Sequence, residues 1–548
     1  MNDLRTTTQS LCPVCLSRVS AQRVVEGPDV YLTKTCPDHG CFRTLIWEGD
    51  PPMATWERPK IPAPPPVAGQ AVANGCPFDC GLCPNHRQRT CTVLIEVTGR
   101  CDLRCPVCYA DAGVAPGPDP PLSTLRRWLE RAGAVAAGSN IQLSGGEPTV
   151  RDDLPEIIAM TRSAGFAFVQ LNTNGIRLGR DPGYAASLKE AGLASVFLQF
   201  DATDDDGYHQ LRGRPLLAEK TAAIEACRES GLGVVLVPTV VPGINDDQIG
   251  AIIQTAIAHS PTVRAVHFQP LSFFGRYPEP PGGRRRPTLP WLMREIEAQT
   301  DGRFPADAFS PPGCENALCS FSGSFLPVPG NGVRPLGQRA NPGCCPEPIP
   351  AHDGAARTIA HVARRWAAPE ASVAEAGSSG CTPSGILWLD DFLNRAQTHT
   401  LSVSAMAFQD AWTVDLERVR DCCIHVLAPD GRLIPFCLYN LTSAGGDRLY
   451  RHMVRPPFGK TSEVLFGKTS EVLETSEVSM ETSEVSVETS EVSLETSEVS
   501  VGAVREPPPL DDWARRLVGR PGNAPLDRAS LEAYQLRRLN QTLALIHR

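Results

Sequence analysis

The sequence predicts an α/β protein built on a partial (β/α)6 barrel. An N-terminal metal-knuckle domain and a cysteine-rich segment precede this core, and an α+β C-terminal cap follows it. Three observations predict this. Six short apolar runs alternate with five helical stretches between residues 92 and 275. Twenty cysteines recur at intervals of two, three and four residues. A Pro-rich stretch at 51–72 separates the first cysteine group from the rest.

The strands are expected at Thr92–Val97, Ile141–Leu143, Ala167–Leu171, Ser195–Phe200, Gly233–Val240 and Ala265–Phe268. Helices are expected at Leu122–Ala137, Leu154–Ala164, Tyr184–Ala191, Leu216–Ser230 and Asp246–His259. Strands alternating with helices of that length imply parallel βαβ units. Six units suggest part of a barrel rather than a full eightfold one. Sites in such sheets form at the carboxyl ends of the strands.

Around this core the chain divides into segments: 1–50 with the knuckles, the 51–72 linker, 73–91 with a second cysteine group, the 92–275 barrel, and 276–455 with further cysteines. Residues 456–509 hold a tandem repeat and linker, and 510–548 suggest a small helical tail. The repeat has a seven-residue period, but its apolar residues (Val478 and Met480, then Val485 and Val487) are spaced 2 and 5. A coiled coil needs 3 and 4, so a disordered or weakly β-prone expansion is the expectation.

Composition narrows the function. A net charge of −9 argues against a nucleic-acid partner, which would want a basic face. The basic run Arg284–Arg286 lies in a Pro/Gly loop and reads as solvated, with an anionic substrate group as the alternative. Met1 to Ser10 lacks the apolar core of a signal peptide. No apolar run approaches the roughly 20 residues of a membrane helix, so a cytoplasmic location is expected. In that setting the cysteines read as metal ligands rather than disulfides.

The spacing Cys-x3-Cys-x2-Cys occurs twice, at Cys76/Cys80/Cys83 and Cys101/Cys105/Cys108. It lets one loop wrap a 4Fe–4S cubane and ligate three of its irons. The fourth iron is then open to the amine and carboxylate of S-adenosylmethionine (SAM), whose cleavage gives a 5′-deoxyadenosyl radical. Cys91 trails the first triplet as a ready fourth ligand, which suits a closed cluster. The second triplet follows the first strand of the barrel and has no later cysteine until Cys227, itself expected as a buried apolar residue. Ser144-Gly145-Gly146-Glu147-Pro148 follows at the next strand end.

On those two features residues 92–275 resemble the radical SAM superfamily. The resemblance implies that Cys101, Cys105 and Cys108 hold the catalytic cluster. It also implies that Gly145, Gly146 and Glu147 receive the SAM amino group, with the glycines allowing close approach. Later strand ends offer further cofactor contacts: Asn172, Thr173 and Asn174, then Gln199 and Asp201, and Arg212 as a partner for a carboxylate. Backbone groups of Val240–Gly243 are candidates to hold adenine, and Tyr109 packs on the cofactor or on the core. For each polar residue the alternative is loop capping.

Cys12-Pro13-Val14-Cys15 and Cys36-Pro37-Asp38-His39 are two copies of one knuckle, a pattern that binds a single tetrahedral iron or zinc. The fourth ligand is His39 or Cys41. Equal knuckle spacing favours His39, whereas a rubredoxin-like iron favours four thiolates and so Cys41. In the C-terminal region Cys314, Cys319, Cys422 and Cys437 make a plausible second closed cluster. Cys422 and Cys437 bracket a hairpin turning at Pro429-Asp430-Gly431. Cys344, Cys345, Cys381 and Cys423 are left over, with Cys423 rivalling Cys422.

The whole chain to about residue 455 resembles a narrower group, the archaeal tetraether-lipid synthase and the related archaeal pterin methylase. The matching stretches are the two knuckles, Cys76–Cys91 running into Cys101–Cys108, Cys314–Phe321, and Ala407–Asp410 leading through Cys422 to Ile434–Asn440. The resemblance implies two auxiliary 4Fe–4S clusters and one mononuclear rubredoxin-like metal, iron or zinc, beside the radical cluster. It also implies hydrogen abstraction from an unactivated carbon of a lipid or small molecule. The outcome is then carbon–carbon coupling of lipid chains, or methylation of a pterin from a folate-type donor. The electron donor would be a flavodoxin or ferredoxin, and a lipid substrate would allow peripheral membrane contact. Peptide maturation and a non-catalytic electron-transfer scaffold are the competing functions. The sparse cysteines between Cys319 and Cys422 argue against the first, and the open triplet beside Gly145–Pro148 against the second.

Overall fold

The computed structural model describes residues 6–58, 60–65, 71–113, 117–277, 286–328, 330, 332–337, 348–369 and 387–451. The repeat tail, the 510–548 stretch, Arg284, Arg285, Cys344, Cys345 and Cys381 lie outside them.

Four antiparallel strands open the chain: β1 (Thr6–Leu11), β2 (Arg18–Glu26), β3 (Asp29–Cys36) and β4 (Gly40–Trp47), in the order β1-β2-β3-β4. Period-2 alternation buries Val30, Leu32, Lys34 and Cys36 on one face of β3. Both knuckles fall in turns, one between β1 and β2, the other between β3 and β4. Buried Lys34 donates to Ser10 Oγ (3.0 Å) and to the Ala411 carbonyl (2.7 Å). Arg23 pairs with Asp415 at 2.8 Å. These bonds tie the ribbon to the loop that carries Phe408–Asp415.

The central sheet starts with β5 (Thr92–Thr98), β6 (Asn140–Gly145), β7 (Val169–Thr173), β8 (Ser195–Gln199), β9 (Gly233–Val237) and β10 (Val263–Pro270). All six run parallel and lie in chain order. Between them run α1 (Leu122–Val135), α2 (Leu154–Ser163), α3 (Tyr184–Glu190), α4 (Asp205–Arg212), α5 (Leu217–Glu229) and α6 (Ile249–Ala258). In α1 the buried residues are Leu125, Leu129, Ala132 and Val135, three and four apart, which makes one apolar stripe. That stripe belongs to the same core as Ile141, Leu143, Val169, Leu171, Val196 and Leu198 of the sheet. Burial of each such side chain stabilises the fold by about 1.5–3 kcal/mol.

The expected sixfold barrel is exceeded on both sides. The C-terminal region adds α7 (Leu289–Gln299), β11 (Ser320–Val328), β12 (Gly332–Pro335), α8 (Ala351–Trp366), α9 (Leu387–Thr398), β13 (Leu401–Met406), β14 (Ile424–Leu427) and β15 (Leu433–Pro435). β13 pairs parallel with β10, and β14 pairs parallel with β5. The parallel run is therefore eight strands, and the C-terminal region extends the sheet as well as covering it. The extra pair escapes a sequence reading because neither strand belongs to a sequential βαβ repeat. Antiparallel β11–β12 and β15 form the two flanks, and among the described residues the sheet stays open. The hairpin at Pro429–Gly431 is present, with Gly431 at φ 83°.

Candidate active site

The loop after β5 carries Cys101, Cys105 and Cys108. Arg276 holds it by donating to the Cys105 carbonyl (2.7 Å) and by a backbone bridge to Cys108 (2.9 Å both ways). The Leu103 amide points at Cys101 Sγ (3.4 Å), a contact that favours a thiolate. Burial pushes the Cys101 thiol up to about 12, and neighbouring Glu147 and Asp102 add to the shift. Burial also raises Cys105, while the Arg212 guanidinium pulls it back. Thiols held this way deprotonate when a cation takes the proton's place. The chain passes very close here: a Cβ on Gly145 would sit 2.2 Å from the Thr98 carbonyl oxygen, and one on Gly146 would sit 2.1 Å from that of Arg100.

Glu147 is almost wholly buried, yet both carboxylate oxygens are engaged. Thr149 N (3.1 Å), Thr149 Oγ1 (2.7 Å) and Thr173 Oγ1 (2.7 Å) donate to Oε1, and Asn174 N (2.6 Å) donates to Oε2. Burial raises its pKa against these bonds. Glu147 therefore clamps the end of β6 to the end of β7. Asn174 Nδ2 donates to Asp102 Oδ1 (2.6 Å), which joins the third strand end to the cysteine loop. Asn172 donates to Gln142 and Ser144, and its own Oδ1 is buried without a partner. Tyr109 OH meets Ser144 Oγ at 2.9 Å.

Two of the expected cofactor contacts also have protein partners. Arg212 already has its carboxylate, in a two-pronged pair with buried Asp201 (2.7 and 2.8 Å), and it also donates to the Val107 carbonyl. A buried guanidinium needs such a partner, so this pair braces the cysteine loop. Gln199 likewise accepts from Lys220 Nζ (3.2 Å), a buried amine whose pKa burial lowers to about 8.

A cavity of about 540 Å³ opens beside the triplet and runs along the inner face of the sheet. Cys101, Cys105 and Cys108 line the end at the carboxyl termini of the strands, with Gly145–Glu147 and Asn172–Asn174. Alternation puts polar residues on this face: Gln142, Gln170, His267, Ser402 and Ser404 among them. The apolar residues between them face the helices. One side of α8 lines the other end, ending at Trp366. None of these inner polar residues stands out as a motif, but the alternation Asn-Ile-Gln-Leu-Ser in β6 and Leu-Ser-Val-Ser in β13 carries the signal.

The remaining cysteines regroup. Cys12, Cys15, Cys36 and His39 bring four ligand atoms within 4.8 Å of one another, the convergence a single ion requires. Exposed Cys41 is outside that group. Neither Cys-x3-Cys-x2-Cys triplet converges so tightly, which fits a cubane with separated irons better than one ion. Cys91 does not complete the first triplet. Its sulfur is bonded to that of Cys314, with Cys423 beside them. The expected grouping of Cys314 with Cys319 gives way to one with Cys91 and Cys423. The physical reason is the parallel pairing of β14 with β5, which brings Cys423 next to Cys91 at the head of both strands. The Cα atoms of Cys91 and Cys314 are 7.6 Å apart, wider than disulfides normally span. Three buried thiols at that backbone spacing are also suited to a shared metal group. Cys319, Cys422 and Cys437 lie within electrostatic reach of one another, and burial pushes Cys437 up to about 12.

Comparison with known proteins agrees with this layout. The family model described as radical SAM superfamily matches residues 95–256, and that of the HMPTM N-terminal zinc ribbon domain matches 4–48. The chain is 35% identical to the 7,8-dihydro-6-hydroxymethylpterin dimethyltransferase of Methanocaldococcus jannaschii, over 79% of this chain and 93% of that one. It is 34% identical to the mitochondrial GTP 3′,8-cyclase of Arabidopsis thaliana, over 32% of this chain and 45% of that one. Among solved structures, Streptococcus suis SuiB bound to S-adenosylmethionine aligns with a TM-score of 0.32 and 18% identity, over 40% of this chain and 48% of that one.

Proposed function

The chain belongs to the radical SAM superfamily, and from that premise we propose that it methylates a small heterocyclic substrate of pterin type. The cavity carries the proposal. Its volume of about 540 Å³ suits one small molecule beside SAM, and amides and hydroxyls on the strand face of a mainly apolar lining offer that molecule hydrogen bonds. The M. jannaschii relative is named as a dimethyltransferase of such a pterin, which supports the same reading.

Cys101, Cys105 and Cys108 would hold the radical 4Fe–4S cluster, whose reduction supplies a 5′-deoxyadenosyl radical from SAM. Gly145 and Gly146 leave room only for backbone, and Glu147 locks that turn to Thr173 and Asn174. Asn172 lines the cavity and keeps a buried side-chain oxygen without a protein partner, open to a hydrogen bond from a ligand. The Asp201–Arg212 pair holds the cysteine loop against the strands. Walls on several sides of the cavity would shield a reactive carbon radical from much of the water and from stray C–H bonds. Cys12, Cys15, Cys36 and His39 would hold zinc or iron. Cys76/Cys80/Cys83 and the Cys91 and Cys319 groups would supply auxiliary clusters, fed by a flavodoxin- or ferredoxin-type donor.

The test is anaerobic turnover of the reduced, cluster-loaded protein with SAM, 7,8-dihydro-6-hydroxymethylpterin and a folate-type one-carbon donor. The expected result is 5′-deoxyadenosine release stimulated by the pterin, with a product heavier by one or two methyl groups. Release that ignores the pterin would overturn the substrate assignment.

A further inference from the structure

We infer that His267 and Ser404, flanked by Phe197 and Trp366, form the wall that recognises the flat ring of the substrate. The inference rests on the small-heterocycle reading above and assigns its recognition to named residues. His267 and Ser404 are register partners on adjacent parallel strands β10 and β13. His267 Nδ1 meets Ser404 Oγ at 2.8 Å. This fixes the imidazole and leaves its second nitrogen for a ligand. Burial lowers the His267 pKa to about 4, so the ring is neutral at physiological pH and can exchange a hydrogen bond with an uncharged partner.

The surroundings suit a flat aromatic molecule. Phe197, His267 and Trp366 stand in mutual ring contact, with centroids 5.6, 5.7 and 5.9 Å apart. All three line the cavity, and their tilted planes leave faces and edges for an inserted ring. Trp366 comes from α8, so helix and sheet jointly shape the slot. Ser402, one inward position before Ser404, also lines it and keeps a buried hydroxyl without a protein partner. An orphaned hydroxyl beside a neutral imidazole is a hydrogen-bonding edge that a nitrogen heterocycle with amide-like groups would satisfy.

Position supports the same assignment. His267 lies three residues before the carboxyl end of β10, about 10 Å along the strand. A two-ring heterocycle seated there would reach the cysteine-lined end with an attached carbon arm. Recognition and chemistry are thus separated along one wall. His267 is a positioning residue and does not touch the reacting atoms.

The experiment uses the full chain with reconstituted clusters and SAM bound, titrated with fluorescent, oxidised 6-hydroxymethylpterin. Quenching reports binding, and steady-state turnover reports KM and kcat separately. His267→Ala and Trp366→Ala should each weaken binding by about tenfold and raise KM in parallel, with kcat and SAM affinity little changed. His267→Gln keeps a neutral hydrogen-bonding group and should recover most of the loss. Ser404→Ala, a gentler change, should weaken binding by about threefold if the larger variants lose iron or fold poorly. Unchanged pterin affinity in the folded variants would overturn the inference while leaving the substrate class standing. Absence of pterin binding by the unaltered chain that still releases 5′-deoxyadenosine would overturn the substrate class itself.

Discussion

Two loops of this chain share the spacing Cys-x3-Cys-x2-Cys and sit in unlike surroundings. The loop at Cys76, Cys80 and Cys83 precedes the sheet and packs against the C-terminal end of the described chain. There the Cys80 amide donates to the Tyr450 hydroxyl (3.0 Å), and Arg432 donates to the Cys80 carbonyl (3.3 Å). None of its cysteines lines the cavity. The loop at Cys101, Cys105 and Cys108 leaves the carboxyl end of β5, lines the cavity and leans on a buried ion pair. Spacing decides what a loop can ligate; its place on the sheet decides whether a substrate can reach it.

The largest test of this contrast is a matched pair of deletions. Cys105→Ala should abolish 5′-deoxyadenosine release, whereas Cys80→Ala should lower iron content yet leave SAM cleavage measurable by chromatography. Equal losses in both would break the distinction. The next effect concerns the braces. Asp201→Ala strands Arg212 as a buried unpaired charge and should cost about 3–5 kcal/mol in denaturant unfolding. Tyr450→Phe, beside the other loop, removes two neutral hydrogen bonds, one from the Cys80 amide and one to the Pro77 carbonyl, and should cost about 1–3 kcal/mol.

A third effect is specific to the cavity side. Burial holds His267 neutral, with a pKa of about 4 against an ordinary 6.5. Between those values the unfolded chain takes up a proton that the folded chain refuses. This stability is fully present above pH 6.5 and is lost as pH falls towards 4, by up to about 3 kcal/mol. His267→Gln should flatten that part of the pH–stability curve. The smallest effect extends the contrast to the ribbon, where ligand atoms converge on one point. His39→Ala should release the bound metal, measured by elemental analysis, while Cys41→Ser should retain it.

Much of this was legible in the residues. The six central strands and their helices follow from period and length, because each βαβ unit is local in sequence. The cavity-lining triplet is legible because a motif and a strand end coincide. The thiol partners are legible only in part. Cys12, Cys15, Cys36 and His39 lie on two tight turns of one small ribbon, so their spacing foretells their meeting. Cys91 meets Cys314 and Cys423 through strand pairing between distant segments, which no local spacing encodes. Arg212 reads as a partner for a carboxylate, but that its carboxylate includes Asp201 is a tertiary pairing no local spacing encodes. The slot of Phe197, His267 and Trp366 draws on two strands and a helix, so sequence reading passes over it.

The two outer parallel strands also bear on how the molecule is made. β5 needs β14, and β10 needs β13, so Thr92 waits for Ile424 and Ala265 for Ser402. For Thr92 the wait spans roughly 330 residues, or about 17–66 s at ordinary translation rates. Until then the nascent sheet shows two open edges, the kind that invite pairing with other chains. Its polar inner face gives the unfinished sheet some protection, since Gln142, Gln170 and their neighbours can stay hydrated while the flanks are missing. The chain is thereby expected to depend on slow emergence or on holding factors during synthesis, and cluster insertion has its natural moment only after the last flank has closed.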